Sequence, residues 1–450
     1  MPAGARPTGI KEFDNGPLMN VSGMPTWQML VTDRGISTTG TEGNWNEFGG
    51  FVAFDTAGFV VWYYDLPNDM YGCNWERLAD GDFVFSVEST PSGFVQVDPL
   101  HNMKKGHLVS ECDSITSTSA LGYQMLNHEA LINSWAENEP ILTFRSEAVN
   151  LSATIEADDN TYRFVKTDAV VEWDRSTDEI STLLELTDFF DPYVYQPGDA
   201  QTGYATIKCG GEPDAEDWSH ANSISLDADG NLIVGIRNLN AVAAFRVPWG
   251  SKRRFSNESS AELLWIVSNN SAWSNFTFDD DSSKFFMAHH VRARTDVTAP
   301  NQVFLTMFDN GDSRPECNFM ADPHQPDMHC YSRGLEIMLD LETKVAKKVW
   351  QYTPPAGIIG GRVGSLFAKA KGSVEILNSE NRLVGFTAAL NRNTGVVGEW
   401  WAFEADKNGT TVAWMYLSPC WKTNWEYPYR ALSLGELLGE SSERPSLYDR

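Results

Sequence analysis

The sequence predicts an all-β fold, a six-bladed β-propeller with long loop insertions. Three observations carry that expectation: a strand–turn–strand phrase that recurs along the chain, hairpin turns between its copies, and a near absence of helical periodicity. The phrase is a hydrophobic strand ending near an acidic residue, a turn, and a second strand rich in Val and Trp. "FVAFDTAGFVVWYYDL" (51–66) is the clearest copy, followed by copies at 94–111, 169–186, 241–267, 335–352 and 398–417, six in all. The copy at 241–267 carries a long insertion in its turn.

Between the copies lies a second phrase, two short alternating strands around an Asp-Gly or Asn-rich turn, the strongest short-range hairpin signal. "ANSISLDADGNLIVGI" (221–236) and "GSVEILNSENRLVGFTA" (372–388) show it best, and 73–88 and 127–144 are looser copies. Two hairpins per repeat make a four-stranded sheet, the unit of a propeller blade. The domain organisation expected is an N-terminal segment at 1–40, one propeller domain over 41–440 and a tail at 441–450. Two packed β-domains without radial symmetry are the alternative. "RALSLGELLG" near the C-terminus is one of the few helical candidates. The 16 Trp and an aromatic content of 12% suit packed sheets.

The formal net charge is -27, from 34 basic and 61 acidic residues. Nucleic acid and anionic membrane surfaces both demand a basic footprint, so neither is expected as a partner. No run of 18 apolar residues exists, so no membrane span is expected, and the N-terminus lacks the apolar core of a signal peptide. The six cysteines show no C-x-x-C spacing, which argues against zinc; Cys317 and Cys330 are spaced to close a short loop as a disulfide. Six N-x-[ST] sequons, at Asn20, Asn150, Asn257, Asn269, Asn275 and Asn408, lean with the cysteines towards a secretory compartment.

The eight histidines are few enough for their positions to be informative. His128 and His220 each open a hairpin, and the doublet His289–His290 precedes the apolar run "QVFLTMFDNG". Three successive inter-copy segments thus place histidine at a similar point, and matching points of different blades converge on a propeller's central channel. Three imidazoles suit a metal, but Arg237 argues against one: a guanidinium stays charged, repels cations and matches the oxygens of an oxyanion with forked donors. The chemistry inferred is three histidines and Arg237 around a sulfate- or phosphate-like group. One neutral imidazole attacks, and the others stabilise charge on the transferring group.

These residues resemble the arylsulfotransferase family, whose members need no nucleotide sulfate donor. The family signature D-[WY]-F-H-x-N-S-[VI] is similar to "DWSHANSI" (217–224), with Ser219 where an aromatic is usual. Its [SA]-R-H-x-x-A resembles "IRNLNA" at Arg237, its Q-H-D-A-R…L-F-D-N-G resembles "AHHVRA…TMFDNG", and its E-Y-x-Y-R-A resembles "EYPYRA". The segment "NHEAL" at His128 is similar to an upstream H-[DE] element. The resemblance implies transfer of a sulfuryl group from a phenolic sulfate ester to a phenolic acceptor, ping-pong, through a sulfohistidine and without cofactor or metal. It implies His289 as nucleophile, with His220, Arg237, His128 and His290 completing the catalytic set and Asn222 and Arg292 contacting substrate. Placing His289 at the family histidine sets His290 at its Asp and Arg292 at its Arg; placing His290 there loses the Arg. A hydrolase or lactonase on the same scaffold, or a non-catalytic binding protein, is the rival reading. "DADGN" (227–231) opens like a calcium loop but lacks that loop's closing glutamate, and reads as a hairpin turn.

Overall fold

The computed structural model describes residues 20–22, 29–37, 47–54, 60–65, 71–78, 81–88, 92–98, 100, 102–109, 124–132, 140–150, 164–192, 194–195, 204–205, 215–249, 261–296, 298–315, 317, 330–359, 366–377, 379–391, 396–417 and 431–433. Most of the expected N-terminal segment, the tail at 441–450, the sequon at Asn257 and most of "EYPYRA" lie outside them.

Every copy of the recurring phrase folds as an antiparallel hairpin. The second phrase does the same, pairing Ala221–Leu226 with Leu232–Ile236 and Ser373–Ile376 with Arg382–Asn391. One turn device recurs in sequence and structure. Asp98, Asp227 and Asp406 each accept the backbone N–H groups two and four residues ahead through Oδ1, at 2.8–3.0 Å. Short acidic side chains close such turns by standing in for a backbone acceptor. "DADGN" is therefore a hairpin turn closed by Asp227.

The chain divides into two compact units. One comprises Met1–Gly72, Phe304–Met338 and Lys347–Arg450; the other comprises Cys73–Val303 and Leu339–Ala346. The all-β propeller fold is present, but the structure corrects the blade count from six to five. Five sheets each belong to one unit (Tyr71 and Gly72, at the start of one strand, excepted). The remaining strands do not form a blade of either unit. Ala299–Asp309, Arg333–Asp340 and Val345–Tyr352 each pass from one unit to the other within their length. The reason lies in what a sequence repeat reports. The phrase at 335–352 counts a hairpin, whereas a blade is defined by packing. The tip of this hairpin, Leu339–Ala346, goes with the second unit and pairs there in parallel with Thr277–Phe278.

In the first unit, the C-terminal strand Ala431–Ser433 pairs antiparallel with Met29–Ser37, and Asn20–Ser22 pairs with Thr411–Leu417. The helix expected at "RALSLGELLG" is thus replaced at its start by a strand. Pairing Leu30 with Leu432 in a sheet outweighs a weak local helical period. The core of this unit is aromatic, with Trp350, Tyr352, Phe386, Trp401 and Phe403 in contact. In the second unit, buried Val, Ile, Leu and Phe from successive sheets pack around Trp218 and Trp249. Three strands of this unit lie side by side: Gln124–Ile132 against Ala221–Leu226, and Ala221–Leu226 against His289–Asp296.

The "FDNG" motif (308–311) anchors the first unit. Asp309 Oδ2 accepts from Arg314 at 2.9 Å and Arg333 at 2.8 Å, and Asn310 donates to the carbonyls of Ala368 and Lys371. Cys317 and Cys330 form the disulfide their spacing suggests. Gly311 has φ of 77°, and a Cβ there would lie 2.2 Å from the Tyr331 carbonyl oxygen. Gly311→Ala is therefore expected to cost more than about 1 kcal/mol, read as a lowered denaturant midpoint at unchanged slope. An unaltered midpoint would show that the turn relaxes freely.

Candidate active site

The side chains of interest all belong to the second unit. His128 sits inside Gln124–Ile132, where the ladder to Ile141–Asn150 breaks: Leu142 pairs with Leu131 but Phe144 with Asn127. The bulge puts His128 at φ 61°. His220, at φ 46°, directly precedes Ala221–Leu226, where Asn222 is the extra residue of a second bulge. His289 opens the strand His289–Asp296, flanked by Met287 and His290, both at φ 54°. Left-handed backbone is unfavourable for residues with a Cβ, and bulges re-aim side chains that a regular strand would send elsewhere. Gly235 lets these strands meet: a Cβ there would fall 2.3 Å from Ser223 Oγ and 2.9 Å from Val291 Cγ2.

The bends gather the imidazoles. The ring centroids of His128 and His220 lie 5.1 Å apart, and those of His220 and His289 lie 6.5 Å apart. Arg237 starts a single 3-10 turn after Leu232–Ile236. Its N–H donates to the His220 carbonyl and the N–H of Asn238 to that of Ser219, so the turn is fixed beside the histidine. Asn238 accepts from Arg237 Nη1 at 2.7 Å and donates to the Asp217 carbonyl. Asn240, left-handed at φ 47°, accepts the Met287 N–H at 2.6 Å and ties the same turn to the approach of His289.

Nδ1 of His220 lies 2.5 Å from Oδ2 of Asp217, and Lys166 Nζ stands 3.7 Å from the other carboxylate oxygen. Burial alone would push Asp217 up. The His220 and Lys166 charges, the His220 hydrogen bond and Arg237 outweigh it and hold the carboxyl well below its usual range. Burial pushes His220 down from the usual imidazole range, with Arg237 and His128 acting in the same direction and Asp217 opposing. His220 is therefore neutral near pH 7, its Nδ1–H is donated to an ionised Asp217, and Nε2 keeps its lone pair. With His220 neutral, the cations beside the Asp217 carboxylate are Lys166 and Arg237.

Two buried carboxylates hold the strands that carry these groups. Asp168 Oδ2 accepts from Ser219 Oγ at 2.6 Å and the Ala221 N–H at 2.7 Å, on either side of His220. Glu129, next to His128 and fully buried, accepts the Ile224 N–H at 3.2 Å and pairs in bidentate fashion with Arg292 at 3.0 and 3.2 Å. Arg292 also donates to the Ile224 carbonyl at 3.1 Å. One ion pair thus bridges the three strands bearing or following the three histidines.

The Arylsulfotransferase (ASST) family profile matches residues 17–427. The chain belongs to the arylsulfotransferase family. Membership brings transferase-type chemistry and small aryl-sulfate substrates. No curated protein matches the chain. Among solved structures, a protein of unknown function from Bacteroides caccae is similar with a TM-score of 0.45 and 11% identity, over 90% of this chain and 98% of its own. Virginiamycin B lyase from Staphylococcus aureus is similar with a TM-score of 0.36 and 8% identity, over 89% of this chain and 99% of its own. Neither likeness bears on activity.

Of the residues that the sequence points to in this arylsulfotransferase, His128, His220 and His289 share one cluster, with Arg237 pinned beside them. Within the doublet both side chains are buried; the ring of His289 lies against that of His220, and His290 has φ 54°. Asn222 is fully buried and donates to the Ala288 carbonyl at 2.9 Å, and Arg292 is bound to Glu129. Both contacts hold the segment around His289. Sequence reasoning missed Asp217, Glu129, Asp168 and Lys166 as parts of the site. Asp217 and Glu129 stand inside the quoted "DWSHANSI" and "NHEAL", so position relative to histidine could have flagged them. Asp168 and Lys166 lie in a strand with no such signal. Removing the guanidinium leaves a buried carboxylate without its counter-ion, a change that costs about 3–5 kcal/mol. Arg292→Ala should lose stability on that scale in chemical denaturation; a loss below about 0.5 kcal/mol would show that Glu129 is not held as described.

Proposed function

We propose that this arylsulfotransferase moves a sulfuryl group from a phenolic sulfate ester to a phenolic acceptor, ping-pong, without a nucleotide donor. A ring nitrogen of His289 attacks sulfur, the S–O(aryl) bond breaks, and the phenolate leaves with the electron pair and takes a proton from solvent. In the second half an acceptor phenol oxygen attacks the sulfur of the sulfohistidine. The N–S bond breaks back to His289, and the phenolic proton passes to Nε2 of His220 and on to solvent. Arg237 and His128 face the sulfuryl oxygens, where fixed donors stabilise charge growing in the transition state. His290, Asn222 and Arg292 support the segment that presents His289. The observation that supports this reading best is the meeting of three imidazoles, far apart in sequence, beside one guanidinium. The Cys317–Cys330 disulfide and the exposed sequon residues Asn275 and Asn408 support a secretory setting.

Incubation with 4-nitrophenyl sulfate is expected to add one acid-labile SO3 to the peptide spanning 285–294, and an added phenol is expected to remove it. His289→Asn should abolish both the label and the release of nitrophenol. A label on His220, or full turnover by His289→Asn, would overturn the assignment.

A further inference from the structure

The dyad of His220 and Asp217 has a consequence for the proton. We infer that Asp217, backed by Lys166, is a positioning residue that holds His220 as the Nδ1–H tautomer, so that only Nε2 can receive the proton of the acceptor phenol. The inference rests on the sulfuryl-transfer reading for its kinetic consequence but not for its structural content.

The geometry leaves little alternative for the ring. Asp217 Oδ2 occupies the Nδ1 position at 2.5 Å, and a carboxylate only accepts. The backbone around the imidazole is fixed on both sides by Asp168, through Ser219 Oγ and the Ala221 N–H, and from a third side by the Arg237 N–H on the His220 carbonyl. Asp217 is itself held: its carbonyl accepts from Asn238, and Lys166 stands beside its second oxygen. Among the described residues, the charged and titratable groups facing His220 are Asp217 on its own segment, Lys166 and Asp168 from Phe164–Asp174, Arg237 from the 3-10 turn, His128 from Gln124–Ile132 and His289 from His289–Asp296. Only Asp217 and Asp168 are anionic, and Asp168 spends its hydrogen bonds on Ser146, Ser219 and Ala221.

The donor half, in which the phenolate departs unassisted, makes no demand on this tautomer. The acceptor half does, because N–S cleavage and O–S formation leave a proton that must go to Nε2. An ionised neighbour also raises the imidazole pKa, so deleting its charge moves the acid limb of the acceptor half to lower pH while slowing that half.

The first test is made on the wild-type protein without substrate. Ring 15N shifts, with His220 assigned by comparison with His220→Gln, should show Nδ1 protonated and Nε2 bare at pH 7.5. An Nε2–H tautomer, or an imidazolium, would overturn the inference whatever the enzyme catalyses. The second test is kinetic. Asp217→Asn, with unchanged circular dichroism, should slow acceptor-dependent turnover about 100-fold, slow the nitrophenol burst less, and shift the acid limb downward. Equal slowing of both halves with an unmoved limb would make Asp217 a structural residue only. If the wild-type protein transfers no sulfuryl group at all, the functional reading fails while the tautomer result stands.

Discussion

Two buried carboxylates, Asp168 and Glu129, accept backbone N–H groups from the edge strand Ala221–Leu226, and the histidine cluster depends on that substitution. His128 and His220 occupy left-handed conformations, and each such residue costs on the order of 1–3 kcal/mol. Ala221–Leu226 is the edge strand of its sheet, so backbone donors on its outer side have no strand partner. Asp168 takes the Ala221 N–H and Glu129 takes that of Ile224, in charge-assisted bonds that are stronger than neutral ones. The Glu129 charge is in turn balanced by Arg292, which reaches across from the strand of His289. Strain at the histidines and charge in the interior are thus two halves of one arrangement.

Such an arrangement places cationic side chains at contact range within a chain of net charge -27. Overall acidity acts over distance and is screened by salt, whereas the groups within the histidine cluster act at contact. Lys166 and Arg237 both act on Asp217, and Arg292 pairs with Glu129. The imidazole of His220 contributes as a neutral donor and acceptor. That follows from burial and from Arg237 and His128 nearby, which keep it below the usual imidazole range. A neutral base beside a fixed guanidinium suits a reaction that collects a phenolic proton while holding an oxyanion.

Much of this was legible in the sequence, for identifiable reasons. Hairpins announce themselves locally, through alternation and through turns such as "DADGN", and each copy of the recurring phrase became one. The cysteine pair at 317 and 330 was readable from spacing. Blade count was not, because the hairpin at 335–352 is split between packing units and no local pattern encodes that. The strand at Ala431–Ser433 was read as the start of a helix because its partner, Met29–Ser37, lies at the other end of the chain. In the site, the histidines stood out because they are rare and recur at matching points. The pairing of Arg292 with Glu129 was not legible, because nothing in one sequence marks a guanidinium that pairs with a buried glutamate 163 residues away. Asp168 was invisible for the same reason: its partners, Ser146, Ser219 and the Ala221 N–H, lie 22, 51 and 53 residues away.

The central claim is that these imidazoles and Arg237 enclose one oxyanion, and a crystal structure of the protein grown with sulfate or tungstate addresses it most directly. The account predicts a tetrahedral anion between His128, His220 and His289, with Arg237 donating to its oxygens and Asp217 still on Nδ1 of His220. A metal ion held by the three imidazoles in that place, or an anion bound elsewhere with Arg237 turned away, would contradict it.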